Sequence, residues 1–134
     1  MKRYVVGFMF DSKIENVVMI RKNRPIWQAG LFNGIGGKIE SGEKPVEAMV
    51  REFMEEAGVV STAEMWAHVM TLRFPYAEVE FFACQNDDFF GETRTCTDEE
   101  VFRIPVSRFD DINAVENIRA ALELSMQRLV DREL

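Results

Sequence analysis

An α+β fold with a mixed β-sheet, one helix in mid-chain and another at the C-terminus is predicted by three features of the sequence. β-Branched and aromatic runs occupy residues 4–10 (YVVGFMF) and 16–21 (NVVMIR). Apolar stripes at helical spacing cross residues 45–57 and about 111–131. Between those two stretches the sequence alternates or runs apolar in strand-length pieces.

The chain has 134 residues, enough for one domain spanning 1–134 around one continuous core. Hydrophobic residues make up 47% and charged residues 29%, the ordinary globular range. There is no repeat, low-complexity tract or linker to mark a second domain. The start, Met1-Lys2-Arg3-Tyr4, runs straight into a strand pattern rather than a signal peptide. No apolar stretch is long enough to span a bilayer. A soluble cytoplasmic protein with no membrane partner is expected, as a monomer or homodimer.

The elements follow in order. A polar turn, Asp11-Ser12-Lys13, joins the first two strands. Residues 22–37 are read as a loop, punctuated by Pro25, Gly30, Gly34, Gly36 and Gly37. In the mid-chain helix Val46, Met49, Val50, Phe53 and Ala57 form one stripe, with Pro45 suited to the first turn and Gly58 to the position past the end. Residues 65–74 and 78–85 read as a hairpin with Pro75-Tyr76 near its turn, and 101–106 as another strand. The last helix is expected to bury Ile112, Val115, Ile118, Leu122, Met126 and Leu129.

Cys84 and Cys96 form no CxxC pair, which argues against a zinc site or a disulfide framework. Cys84 reads as a core thiol, Cys96 as a loop residue and His68 as a plain strand histidine. The net charge of −7 excludes a polymeric nucleic acid as partner, since phosphate contacts need a basic face. It leaves room for a small phosphorylated substrate if divalent cations stand between the two sets of negative charge.

Chemistry concentrates on the mid-chain helix. Glu52, Glu55 and Glu56 stand at i, i+3 and i+4, so three carboxylates project from one region of its surface, beside Arg51. Their mutual repulsion and their place near the helix C-terminus both disfavour the helix. A bare ExxEE on a helix is most often a solvated acidic face. A use for such a cluster is binding a hard divalent cation such as Mg²⁺ through oxygen ligands.

The surroundings decide in favour of that use. From Gly37 the chain reads glycine, five residues, Glu43, seven residues, Arg51-Glu52, Phe53, one residue, Glu55-Glu56, one residue, Gly58, Val59. This resembles the Nudix box, GX₅EX₇REUXEEXGU with U a bulky apolar residue, at every defined position across residues 37–59. A chance match at one start has a frequency on the order of 10⁻⁹. The resemblance implies a Nudix-type α/β/α sandwich with a loop–helix–loop catalytic motif, and hydrolysis of a diphosphate linkage with Mg²⁺ as cofactor and Mn²⁺ as a substitute. It implies metal ligands among Glu52, Glu55, Glu56 and the Gly37 carbonyl. Arg51 would orient the carboxylates, and Glu43 would hold the loop as its partner. In this family a base can come from a later loop, and Glu99 in the run Asp98-Glu99-Glu100 is the candidate, as base or as a further ligand. An acidic loop in an acidic protein is the plainer alternative.

The segment from Trp27 to Lys38 resembles the MutT-like branch, which hydrolyses nucleoside triphosphates to monophosphates and pyrophosphate. Asn33 would face a base edge, with Trp27 or Phe32 as a stacking surface. Equally, Asn33 can serve a turn before Gly34, and Phe32 the core. Arg21, Lys22, Arg24 and Lys38 place positive charge near the box for a triphosphate, and Asn113 or Asn117 is a candidate contact to the base. Pro75, sixteen residues beyond Val59, is similar to a marker of ADP-ribose pyrophosphatases, and Tyr76 to a residue of dinucleoside polyphosphate hydrolases. Those ADP-ribose hydrolases usually carry extra N-terminal sequence, so a nucleoside triphosphate is expected first and ADP-ribose or another nucleoside diphosphate derivative second. A non-catalytic nucleotide-binding module is disfavoured because all three box glutamates are present. An acidic protein-interaction domain would bind no metal.

Overall fold

The central strand takes its partners from far along the chain. In the computed structural model, which describes residues 1–133 and side chains through 132, β1 (Lys2–Phe10) pairs in parallel with β6 (Ala77–Gln85), from Lys2–Ala77 to Phe10–Gln85. Its other edge is divided. Residues 4–7 pair antiparallel with β4 (Ile35–Lys38), and Phe10 pairs with Val17 of β2 (Asn16–Arg21). β2 in turn pairs with β3 (Phe32–Asn33) and β7 (Val101–Pro105), and β5 (Ala67–Arg73) completes the far edge on β6. The result is one seven-stranded mixed sheet.

Helices cover both faces, which explains why β1 and β2 read as unbroken apolar runs rather than alternating ones. Side chains of a strand point alternately to its two faces. Val5 and Met9 of β1, with Val18 and Ile20 of β2, join the cluster under α1 (Pro45–Ala57). Val6, Phe8 and Phe10, with Val17 and Met19, join the one under α3 (Ile118–Glu133). Gly7 leaves space for α1, because a Cβ there would stand 2.5 Å from the Met49 sulfur. Phe53 of α1 meets Trp66 edge to face at 5.3 Å, burying large aromatic area at the base of the helix.

Helix α1 has the predicted bounds. Pro45 fits its first turn, the Lys44 N–H donates to the Glu47 carboxylate at 2.7 Å, and Gly58 ends it at φ 76°. The C-terminal helix differs from expectation: it begins at Ile118, not near 111. The backbone of 113–115 is engaged with β3, the Phe32 N–H donating to Asn113 O and the Val115 N–H to Phe32 O, both at 2.8 Å. Asn117 then takes φ 74°, which no right-handed helix contains. The loop expected over 22–37 contains β3 and β4. A further short helix, α2 (Asp87–Glu92), starts where the Asn86 side-chain Oδ1 accepts the Phe89 N–H at 2.9 Å. Cys84 is buried, Cys96 is exposed and His68 lies on β5. No helix among the described residues is long and apolar enough to cross a membrane.

Candidate active site

The carboxylate cluster is built where α1 crosses β4. At Gly37 any side chain would fall onto the Glu52 carboxylate, and at Gly36 onto the Val5 carbonyl, so the paired glycines let strand and helix close together. Glu52 is only 9% exposed, and its carboxyl is in hydrogen-bonding contact with Glu56. Burial raises Glu52 above the ordinary carboxylate range, against the opposing pull of Arg51. Glu56 is pushed further, up to about 8, by burial and by the neighbouring Glu52 and Glu99, with Lys22 opposing. One of its oxygens, Oε2, is buried without a hydrogen-bond donor. Orphaned buried oxygens are rare in folded proteins and ask for a partner.

Arg51 ties loop to helix. Its Nε and Nη2 donate to the two oxygens of Glu43 at 2.7 and 3.0 Å, the pairing expected from the box, and Nη2 also donates to Lys38 O at 2.9 Å. Nη1 donates to Glu52 at 2.8 Å and to Glu55 at 3.3 Å. This fork holds Glu43 well below its usual pKa. Glu55 is the most exposed of the three box carboxylates, half in water beside Arg51.

Glu99 reaches the cluster from the loop before β7 and is 4% exposed. Its Oε2 accepts the Asn23 and Arg24 N–H groups at 2.6 and 3.3 Å, and its Oε1 accepts from Lys22 Nζ at 3.0 Å. Burial works to raise its pKa, but these donors outweigh burial and lower it. No three His, Cys, Asp or Glu side chains among the described residues form a ready cage for an ion. The donor set itself suits a hard divalent cation: buried carboxylate oxygens, one of them orphaned, beside a glycine backbone.

A cleft of about 550 Å³ opens next to the cluster, sharing Gly36, Gly37 and Lys22 with it. Its walls are mainly apolar, from Tyr4 and Val6 of β1, Leu72 of β5 and Val79 and Phe81 of β6. Trp27, 65% exposed, stands at its edge with Asn33 and Asn117. Asn33 has spent part of its polarity: its Oδ1 accepts the Gly34 N–H at 2.8 Å and its Nδ2 donates to Gln28 at 3.4 Å. Phe32 lies off the cleft, edge-on to Phe102 at 5.3 Å, and Asn113 engages β3 through its carbonyl. Arg21 pairs with Glu100 at 3.2 Å, Arg24 pairs with Asp98, and neither they nor Lys38 line the cleft. Sequence reasoning did not anticipate the walls from β5 and β6 or Glu116 at the rim. The walls depend on the parallel pairing of strands about 75 residues apart, which leaves no local signal.

The chain matches the family model described as the NUDIX domain over residues 1–128. It is 29% identical over 91 residues to the CTP pyrophosphohydrolase of Escherichia coli strain K12, spanning 62% of this chain and 67% of that protein. Its fold resembles the MutT structure from work on Aliivibrio salmonicida and Vibrio cholerae, with a TM-score of 0.78 at 23% identity over 94% of this chain and 98% of that one. It resembles equally the NUDIX domain of Shewanella oneidensis NrtR, solved with ADP ribose, with a TM-score of 0.78 at 15% identity over 95% and 87% of the two chains. At those identities the two structures show likeness of fold alone.

Proposed function

Because the chain belongs to the NUDIX domain family, we propose that it is a Mg²⁺-dependent pyrophosphohydrolase that cleaves a nucleoside triphosphate to the monophosphate and pyrophosphate. The observation that carries the reading is the orphaned, buried Glu56 oxygen among Glu52 and Glu99, directly beside a nucleotide-sized cleft. Glu52, Glu56 and Glu99 would hold the cation, with Glu55 and the Gly37 carbonyl as additional ligands and Mn²⁺ as a substitute. When bound, the cation activates water and screens the phosphoryl oxygens. Arg51 fixes the carboxylates through the Glu43 fork. Glu99, with its lowered pKa, is a poor proton acceptor at neutral pH and fits the part of ligand better than that of base. Trp27 offers a stacking face, and Asn33 and Asn117 offer polar contacts to the base. The CTP pyrophosphohydrolase relative supports a nucleoside triphosphate. This reading places the protein in the cytoplasm.

A second reading, ADP-ribose or a related nucleoside diphosphate derivative, is favoured by the turn at Pro75-Tyr76, since Phe74 and Ala77 on either side of it line the cleft. The test is a pyrophosphohydrolase panel with Mg²⁺ and then Mn²⁺, comparing CTP, the other ordinary and 8-oxo nucleoside triphosphates, ADP-ribose and diadenosine polyphosphates. Pyrophosphate and monophosphate as products of triphosphates are expected, with Glu56→Gln inactive. Turnover of ADP-ribose alone, to AMP and ribose 5-phosphate, would move the assignment to the second reading. No turnover with either metal would overturn both and leave a nucleotide-binding module.

A further inference from the structure

We propose that Lys22 is a resident counter-ion of the carboxylate cluster, filling the place of positive charge there until a polyphosphate draws it away; this rests on the metal site proposed above. Lys22 lies just past β2, with its backbone fixed at both ends: its N–H donates to Leu31 O at 2.8 Å, and its carbonyl accepts the Gly30 N–H at 2.7 Å. The side chain is 16% exposed and sets its ammonium 3.0 Å from Glu99 Oε1. The same side chain lines the cleft with Gly36 and Gly37. One flexible cation therefore faces both the carboxylates and the space for substrate.

The arginines near the cluster do not line the cleft, and each is fixed by its own ion pairs. Arg51 is anchored on Glu43 and Glu52, Arg21 on Glu100, and Arg24 on Asp98, with a long 3.9 Å approach to Glu99. A lysine suits an exchange of partners, because its ammonium is a compact point charge on a four-carbon stem, without the fixed fork of arginine. With Lys22 in place, a divalent ion entering alone meets a like charge and an occupied Glu99 oxygen. A triphosphate removes both obstacles by taking the ammonium, and metal and nucleotide then favour each other's binding reciprocally. The protein is thereby set to accept a metal–nucleotide complex in preference to bare metal.

The test is binding of Mn²⁺ alone, read from the free-ion electron paramagnetic resonance signal at low ionic strength. Removing the ammonium in Lys22→Met is expected to tighten Mn²⁺ about tenfold, an ordinary size for coupling between sites. Lys22→Arg, which keeps the charge, is expected to bind near the wild-type level. If Lys22→Met binds no more tightly than wild type, the assignment of Lys22 is overturned. If neither wild type nor Lys22→Met takes up any Mn²⁺, the metal reading itself falls. The ammonium ¹⁵N–¹H signal of Lys22 in the wild-type protein supplies a measurement independent of any variant. It is expected to be visible in the metal-free protein and to broaden or shift when saturating Mg²⁺ and pyrophosphate are added together. A signal unchanged by that addition would overturn the exchange.

Discussion

Neutralising Glu56 is expected to stabilise the metal-free protein, and increasingly so as the pH rises. In the folded chain Glu56 titrates near 8 because burial, Glu52 and Glu99 disfavour its charge; unfolded, it returns to the ordinary 4.5. Between those two values the native state holds a proton that the unfolded state has released. The contribution of Glu56 is therefore fully present below pH 4.5 and is lost as pH rises toward 8. The full difference corresponds to a ceiling of about 5 kcal/mol, at about 1.4 kcal/mol per pH unit. Glu56 keeps partial contact with solvent, and relaxation around a buried charge softens such penalties, so about 2 kcal/mol is expected. Glutamine keeps the shape and stays neutral. Urea unfolding in EDTA, followed by fluorescence of the buried Trp66, should give nearly equal stabilities for wild type and Glu56→Gln at pH 4. By pH 8.5 the variant should be the more stable by about 2 kcal/mol. Glu43 shifts the opposite way, but it is common to both proteins and cancels in the difference. A difference that does not change with pH, or a variant less stable throughout, would refute the reasoning.

Other expectations concern the supports of the site. Arg51→Met strands Glu43 and Glu52 in a poorly hydrated corner and should cost about 3 kcal/mol in urea unfolding at pH 7. Arg51→Lys should lose less but not recover wild type, since an ammonium cannot reproduce the fork. Gly36→Ala should cost at least about 2 kcal/mol by thermal unfolding, because the new methyl meets the Val5 carbonyl of a paired strand that cannot withdraw. Trp27→Ala, at an exposed position, should leave stability within about 0.5 kcal/mol while raising KM severalfold in steady-state assays.

How much of this was legible depended on whether a residue's role is local. The helix 45–57 was readable to the residue, because its stripe, its proline and its terminal glycine all lie within fourteen consecutive positions. β2 was found with the same bounds, and the hairpin within two residues at each end. β4 was missed because two of its four residues are glycines, which carry no side chain to show a strand pattern. The start of α3 was misplaced because Val115 keeps helical spacing with Ile118 and Leu122 while its backbone pairs with β3. α2 did carry a signal, Asn86 followed by Asp87 and Asp88, which suits a helix start. At the site, the helix placed Glu52 and Glu56 together, as the spacing implied. The contact of Lys22 with Glu99 joins residues 77 apart and had no expression in the local pattern.

The divided edge of β1 also bears on how the chain comes together during synthesis. β1 is largely apolar, yet apart from Phe10, which meets Val17 of β2, its partners are encoded at residues 35–38 and 77–85. Until the second of these has left the ribosome, an aggregation-prone strand edge has no native cover. Such distant pairing makes for slow folding. Gly36 and Gly37 rest on Val5 and Val6, but the site also needs Glu99 and cleft residues as late as Ile118. Activity during translation would therefore report the arrival of segments well beyond β6, long after the whole box has been made.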